Sequence, residues 1–246
     1  MIDKYFTHRR TIRQYTSKQV TDEQLAAMLE AASHAPTTGN MQLYSVIVTR
    51  SEEQKKALAP THFNQPTVTG ASAVLTFCAD FNRFVKWCEA SDAKPGYDNF
   101  QSFMTAVLDT VIFAQQFCTI AEMQGLGVCY LGTTTYNAPD IARILDLPKR
   151  VVPVTTLTVG YPASEGVVSD RLPIGAIIHD EKYVDYTPDR ITEIYAEKEA
   201  RKDSRQFVAE NNKKTLAQVF TDVRYTKEAN EHFSKVYRDL ITESGF

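Results

Sequence analysis

The feature that most constrains the fold is a long stretch near the middle of the chain that is apolar on almost every side. We predict that it forms a helix from about Asn99 to Gln124. Its apolar side chains are spread around the whole helix: Val107, Leu108, Val111, Ile112, Phe113, Phe117 and Ile120. A helix of this kind is enclosed by protein, either between layers of one chain or at a subunit interface. Polar residues interrupt the stretch at Asp109, Gln115 and Gln116, which favours a buried helix over a membrane span.

Strands and helices alternate along the rest of the core. The predicted strands are 43–49, 73–79, 127–131 and 151–159, and the second is almost continuously apolar, as an interior strand would be. The predicted helices are 21–35, 51–60 and 139–145, and the first begins with the capping-box pattern of Thr21 and Gln24. This alternation predicts an α+β protein in which helices and strands form layers.

The character of the chain changes after Arg190. We predict a core of residues 1–190 and a helical extension of residues 191–246, which begins with a strongly charged segment over 193–214. The last helix carries one apolar stripe: Phe233, Val236, Tyr237, Leu240 and Ile241. Two alternatives remain open for this helix, since it can pack on its own core or on a partner subunit.

Composition and missing motifs narrow the possible functions. The 246 residues carry a net charge of −3, which gives no general attraction for nucleic acid or an anionic membrane. The chain lacks GxGxxG after a strand, GxxxxGK[ST] and GxSxG, and its five histidines have no metal-binding spacing. Its four cysteines lie in apolar surroundings without a CxxC pair, and its start lacks the apolar core of a signal peptide. We therefore expect a cytoplasmic protein with free thiols and no bound metal.

Two polar segments predict an anion-binding site. Residues 9–13 (RRTIR) carry three guanidinium groups and a hydroxyl, and residues 37–42 (TTGNMQ) form a tight polar loop after the first long helix. Fixed positive charge beside such a loop suits a phosphate monoester attached to a flat polar ring. Arg171 offers a second basic anchor far downstream. The alternative is a solvated basic face, on which each ion pair contributes about 0–1 kcal/mol.

These segments belong to a set of motifs in a fixed order between about residues 3 and 185. The set is Arg9-Arg10-Thr11-Ile12-Arg13, Thr37-Thr38-Gly39-Asn40-Met41-Gln42, Gln65, Phe77-Cys78-Ala79-Asp80, Gly125-Leu126-Gly127, Tyr130-Leu131-Gly132, Gly160-Tyr161-Pro162 and Arg171-Leu172-Pro173. Together they resemble the FMN-dependent nitroreductase family, and most closely its branch of oxygen-insensitive NADPH nitroreductases and NADPH-flavin oxidoreductases. The resemblance implies a homodimer with a layered α-β-α fold, a central mostly antiparallel sheet, long buried helices and a C-terminal arm.

The same resemblance implies the cofactor contacts. Arg10 and Arg171 would clamp the FMN phosphate, with Arg9 and the Thr11 hydroxyl beside it. Arg13 would face the pyrimidine edge of the flavin, where a fixed cation favours the reduced anion. The remaining implied FMN contacts are Thr37, Thr38 and Gly39 of the second subunit, Gln65 near N5 and O4 of the ring, and Tyr130, Leu131, Gly132, Thr133 and Ser169.

Four positions depart from the residues usual in that branch. They are Arg9 for a frequent histidine, Ser169 for a lysine, Thr133 for a second glycine and Asn40 for a bulky aromatic side chain. Lys213 and Lys214 are the candidates for binding the NADPH 2′-phosphate, and lysine binds phosphate without the bidentate geometry of arginine. The choice between NADPH and NADH is therefore less sharply predicted than FMN binding.

The predicted function is an FMN-dependent NAD(P)H oxidoreductase. NAD(P)H would deliver a hydride to flavin N5 and leave, and a nitroaromatic, a quinone, an azo compound or free flavin would then receive two electrons at the same face. The protein would position the reactants and supply charge, with no acid–base residue of its own. The alternatives are an enone or dehalogenating flavin reductase, a flavin-binding protein without turnover, and an interaction domain with a basic surface.

Overall fold

The structure, a computed structural model, describes residues 4–246. The described chain divides into two compact units. The first unit runs up to Val167 and also includes Phe233–Phe246, whereas the second unit is Val168–His232.

An antiparallel sheet of four strands forms the centre of the first unit. The strands are β1 (Tyr44–Thr49), β2 (Ala73–Asp80), β3 (Gly127–Leu131) and β4 (Val151–Gly160). Their spatial order is β1-β2-β4-β3, and each neighbouring pair is antiparallel. Every residue of β2 is buried, so the prediction of an interior strand is confirmed.

Helices cover both faces of this sheet. In the first unit they are α1 (Lys4–His8), α2 (Asp22–Ser33), α3 (Glu52–Leu58), α4 (Pro66–Gly70), α5 (Asn82–Ala90), α6 (Phe100–Met123) and α7 (Ala138–Ile144), with 3₁₀ turns at Thr38–Asn40 and Ala59–His62. On one face, Met28 of α2 and Phe117 of α6 belong to the same buried cluster as Phe77 of β2. On the other face, Leu58 of α3 and Ile141 of α7 belong to a second buried cluster. The predicted layered α+β fold is confirmed.

Helix α6 has one buried and one exposed face, although the sequence indicated apolar side chains all around it. Its exposed face carries a row of large apolar residues: Phe100, Met104, Leu108, Val111, Ile112 and Met123. Among the described residues, the sheet and α2 pack on the other side of the helix. Length and composition alone would allow α6 to cross a membrane, but core helices of soluble proteins meet the same criterion, and ten of its residues are buried inside the protein.

The second unit contains a 3₁₀ turn and several helices. They are the turn at Ile174–Ala176, α8 (Pro188–Ala200), α9 (Lys202–Glu210), α10 (Leu216–Val219) and a π-helical turn at Phe220–Arg224. The charged segment 193–214, with which the predicted helical extension begins, forms most of α8 and α9. Thr187 caps α8 by accepting a hydrogen bond from the Arg190 N–H, and the charges pair within a turn, as Arg190 does with Glu193 at 2.7 Å.

The last helix, α11 (Lys227–Glu243), packs its C-terminal half on the core of its own chain. Tyr237, Leu240 and Ile241 join the buried cluster that contains Phe103 of α6. The Tyr237 hydroxyl donates to the Pro153 carbonyl at 3.1 Å. Of the two alternatives that the sequence left open for this helix, the structure shows the first.

Candidate functional site

Residues 9–13 lie beside the beginning of β3. The buried side chain of Ile12 anchors them, and the Ile12 N–H donates to the Val128 carbonyl at 3.1 Å. A Cβ on Gly127 would lie 2.5 Å from Ile12 Cγ2, so a side chain at that position would displace the anchor. With Ile12 turned into the core, Arg13 is exposed and Thr11 is half-buried.

The three arginines of this segment have different surroundings. Arg9 forms an ion pair with Glu122 of α6 at 3.0 Å, and its Nη2 lies 3.6 Å from the Cys118 sulfur. Arg10 Nη1 lies 3.3 Å from the Glu165 carbonyl oxygen and 3.5 Å from its carboxylate, whose side chain is 93% exposed. Arg13 has no carboxylate partner within the part of the chain that the structure describes. The guanidinium groups of Arg10 and Arg13 are therefore accessible to an anionic ligand, whereas that of Arg9 is engaged.

The loop over residues 37–42 is fixed by Asp109, which projects from α6 and is 1% exposed. Thr37 Oγ1 donates to the Asp109 carboxylate at 2.5 Å, and Thr38 donates to it from N at 2.9 Å and from Oγ1 at 3.0 Å. The Leu43 N–H is a fourth donor, at 3.3 Å. Both hydroxyls that the sequence assigned to FMN thus face a helix of their own chain.

The backbone of this loop is held in a tight conformation. Gly39, Asn40 and Gln42 all have left-handed φ values, of +54°, +57° and +55°. The Gln42 N–H donates to Thr37 Oγ1 at 2.9 Å, which closes the loop on itself. A left-handed non-glycine residue persists where its surroundings determine it, and here the Asp109 contacts do so.

The side chain of His62 contacts the turn that follows β3. The sequence analysis did not single out this residue. His62 is fully buried, and its Nδ1 lies 2.8 Å from Thr133 Oγ1. Burial lowers the pKa of His62 to about 4, so the ring is neutral near pH 7. The Gln65 N–H donates to the His62 carbonyl at 3.2 Å, so one short segment contacts two residues that the sequence assigned to FMN.

The other residues of this turn differ in how much of each is accessible to a ligand. Leu131 is part of the buried core, so only its backbone could meet a ligand, while Gly132 is exposed. The half-buried Tyr130 donates its hydroxyl to Gln115 Oε1 at 3.4 Å, and burial raises the pKa of this phenol. Tyr130 is accordingly neutral at physiological pH.

The remaining assigned residues lie in the second unit. Arg171 Nη1 donates to the carbonyls of Asp170 at 2.8 Å and Ser169 at 3.4 Å. Lys213 forms an ion pair with Asp222 at 2.9 Å, and the Lys214 backbone N–H donates to Gln218 Oε1 at 2.9 Å. Arg171 and Ser169 are thus in direct contact. The ammonium group of Lys213 is already paired with the Asp222 carboxylate.

The first unit thus combines accessible positive charge with a hydroxyl group on one segment. Accessible guanidinium groups on Arg10 and Arg13 flank Thr11 on one short segment, an arrangement that suits a phosphate or an electron-rich ring. No group of three or more histidine, cysteine, aspartate or glutamate residues within the described chain could hold a metal ion.

Comparison with known proteins gives consistent matches over most of the chain. The model of the nitroreductase family matches residues 6–161. An FMN reductase [NAD(P)H] of Bacillus subtilis (strain 168) is 34% identical over 183 residues, which is 74% of each chain. An oxygen-insensitive NADPH nitroreductase of Salmonella typhimurium is 34% identical over 174 residues, 71% of each chain.

Solved structures match the whole fold. The crystal structure of a Bacteroides fragilis NCTC 9343 protein superposes with a TM-score of 0.97 at 52% identity, covering 99% of both chains. The NfrA1 nitroreductase of B. subtilis superposes with a TM-score of 0.86 at 26% identity, covering 99% of this chain and 98% of that one.

Proposed function

This chain belongs to the nitroreductase family of NAD(P)H-dependent oxidoreductases that use FMN, and we propose that it passes two electrons at a time from NAD(P)H to small acceptors. The proposed acceptors are nitroaromatics, quinones, azo compounds and free flavin. When bound, FMN supplies the hydride chemistry, and the donor and acceptor use the same site in turn.

The observation that carries this proposal is the accessibility of two guanidinium groups on one segment. Within the described residues, the one carboxylate near Arg10 is that of Glu165, which is exposed and lies 3.5 Å away, and such a pair is weak enough for a phosphate dianion to replace. Arg13 has no carboxylate partner in the described chain. The residues present thus fit a ligand that carries a phosphate and an electron-rich ring.

The proposed roles of these residues follow from their charge and exposure. Arg10 and the Thr11 hydroxyl bind the phosphate, and Arg13 stabilises negative charge at the pyrimidine edge of the ring. Arg9 contributes less at the phosphate because Glu122 already engages it. Further proposed FMN contacts, which rest on the motif resemblance, are Thr37, Thr38 and Gly39 of the second subunit, Gln65, Tyr130, Leu131, Gly132, Thr133, Ser169 and Arg171. Lys213 and Lys214 are proposed for the NADPH phosphate on the same basis.

We propose a homodimer in which the exposed face of α6 meets a second copy of the chain. Leu108, Val111 and Ile112 are 59%, 44% and 41% exposed on that face. A continuous row of large apolar side chains along a helix is typical of a surface that another protein covers. We also propose a cytoplasmic location, which agrees with the free state of all four cysteines: Cys78, Cys88, Cys118 and Cys129.

Anaerobic spectroscopy of the purified protein tests the proposal. The protein should show a flavin absorption band, and NADPH or NADH should bleach it within one turnover. A nitroaromatic added afterwards should restore the band. A colourless protein that gains no band with added FMN would contradict the proposal, and a stable band that neither nicotinamide bleaches would support a flavin-binding protein without turnover. Restoration by enones alone would indicate the enone-reductase alternative.

A further inference from the structure

A buried histidine lies directly beneath the turn that follows β3. His62 ends the 3₁₀ turn Ala59–His62, and none of its side chain is exposed. Its Nδ1 lies 2.8 Å from Thr133 Oγ1, and its Nε2 has no hydrogen-bond partner within residues 4–246. The ring therefore has one polar contact, and that contact is on the turn.

This asymmetry assigns the position of the ring proton. A neutral imidazole carries one N–H, on either Nδ1 or Nε2. Either tautomer leaves Nε2 without a partner, but an orphaned buried N–H is rarer in folded proteins than an under-satisfied acceptor, which favours the proton on Nδ1. A proton on Nδ1 has the Thr133 oxygen to receive it. On this argument His62 is the donor in the contact and Thr133 is the acceptor.

The hydrogen of the Thr133 hydroxyl is consequently left for another acceptor. Its neighbour in the turn is different, because Thr134 Oγ1 donates to the Leu131 carbonyl at 2.9 Å inside the core. Thr133 is half-buried and follows the exposed Gly132. Of these two threonines, only Thr133 keeps a hydroxyl donor that can reach a ligand at the surface of the turn.

We propose that His62 is a positioning residue, which fixes the Thr133 hydroxyl so that it donates a hydrogen bond to the bound flavin ring. This inference rests on the proposed function. A donor held against the ring favours the electron-rich reduced flavin over the oxidised one. Loss of the His62 contact frees the hydroxyl to rotate, and the reduced form then loses part of its advantage.

The test compares flavin midpoint potentials and FMN dissociation constants in a set of variants. His62→Phe and Thr133→Val remove the contact, and each should reduce the preference for reduced over oxidised FMN about tenfold, which for two electrons lowers the potential by about 30 mV. His62→Asn places an amide N–H near the position of Nδ1 and should restore most of that preference. Thr133→Ser keeps the hydroxyl and should behave as the wild type.

Asn137 provides the matched structural control. Its Nδ2 donates to the Thr61 carbonyl at 2.7 Å, so its side chain joins the same two segments without a hydrogen bond to the Thr133 hydroxyl; its backbone N–H, which Asn137→Ala keeps, donates to the Thr133 carbonyl at 3.4 Å. Asn137→Ala should lower the thermal midpoint of unfolding and leave the flavin potential unchanged. A structural effect alone would shift the potential in Asn137→Ala and in His62→Phe alike, and this outcome would overturn the inference.

The role of His62 and Thr133 and the proposed function are contradicted by different results. If the wild type binds FMN while Thr133→Val has an unchanged potential, then the inference is wrong and the proposed function stands. Thr133→Val also decides the matter if His62→Phe does not fold, since Thr133 is only half-buried. If the wild type does not bind FMN at all, both are wrong.

Discussion

The loop over residues 37–42 and the segment over residues 9–13 are both rich in polar groups, but they use them in opposite ways. Four donors of the loop region converge on Asp109, a buried carboxylate. In the arginine segment, Arg10 has only an exposed partner and Arg13 has none among the described carboxylates. The loop is therefore held by its polar groups, while the arginine segment offers them to a ligand. Sequence alone gives the two segments similar weight.

Removal of Asp109 should have the largest effect. Asp109→Ala leaves the donors of Thr37, Thr38 and Leu43 without an acceptor, and loss of one side of a buried charged network destabilises a protein by about 3–5 kcal/mol. Urea unfolding followed by circular dichroism measures the loss. Asp109→Asn keeps one acceptor oxygen and should lose less. A change below about 1 kcal/mol in Asp109→Ala would show that the loop does not depend on this carboxylate.

Acidification should lower the stability of the folded protein through His62. His62 has a pKa of about 4 in the folded protein and an ordinary value near 6.5 when unfolded, because burial penalises its charged form. The unfolded state therefore binds the proton first as the pH falls, and the stabilising contribution, complete above pH 6.5, is lost between about 6.5 and 4. The expected loss from this residue reaches about 3 kcal/mol near pH 4.

The control for this pH effect is the variant His62→Asn, which does not titrate in that range. Unfolding free energies of the wild type and the variant should approach each other as the pH falls from 7 to 4. Parallel curves would mean that the pKa of His62 is the same in the folded and the unfolded protein.

The secondary structure of the core was largely predictable because its signals are local. The four strands agree with their predicted ranges to within one residue at each end, and Thr21 and Gln24 form the predicted capping box. Helix α5 was missed because Phe81 precedes it and supplies no capping side chain. Helix α8 begins at Pro188, three residues before the helical extension predicted from residue 191, and Thr187 and Pro188 carry a start signal that could have placed it.

The candidate site was only partly predictable, for a physical reason. Segments 9–13 and 37–42 are visible in the sequence because each gathers polar side chains within a few residues. The partners of these segments are not visible. Thr37 and Asp109 are 72 positions apart, and His62 and Thr133 are 71 apart. Such pairs form only when the sheet brings their elements together, so no local sequence pattern predicts them.

Substitution of Arg10 should weaken FMN binding and leave the stability of the protein nearly unchanged. Arg10→Met removes a charge whose carboxylate partner among residues 4–246, Glu165, is exposed, so stability should change by less than about 0.5 kcal/mol. A hydrogen bond to a charged group contributes about 1.5–3 kcal/mol, and FMN should therefore bind about 10- to 100-fold more weakly. Fluorescence titration of the apoprotein with FMN measures this constant. Glu165→Gln is the matched control and should bind FMN at least as tightly as the wild type.

Arg9→Met should have the smallest effect of these substitutions, and the most informative one. Arg9 lies in the arginine segment, but its guanidinium group is paired with Glu122 of α6. Its guanidinium is 3.0 Å from Glu122, which is 8% exposed and also accepts a hydrogen bond from the Tyr5 hydroxyl. The Arg9 side chain is a quarter exposed, so solvent screens the pair, and its loss should destabilise the protein by about 1–2 kcal/mol. The effect on FMN affinity should stay below tenfold.

Arg9→Met and Arg10→Met would then show opposite profiles in unfolding and in FMN titration, although the two residues are adjacent. Matching profiles would mean that chain position, and not the partner of each guanidinium, determines what these arginines do.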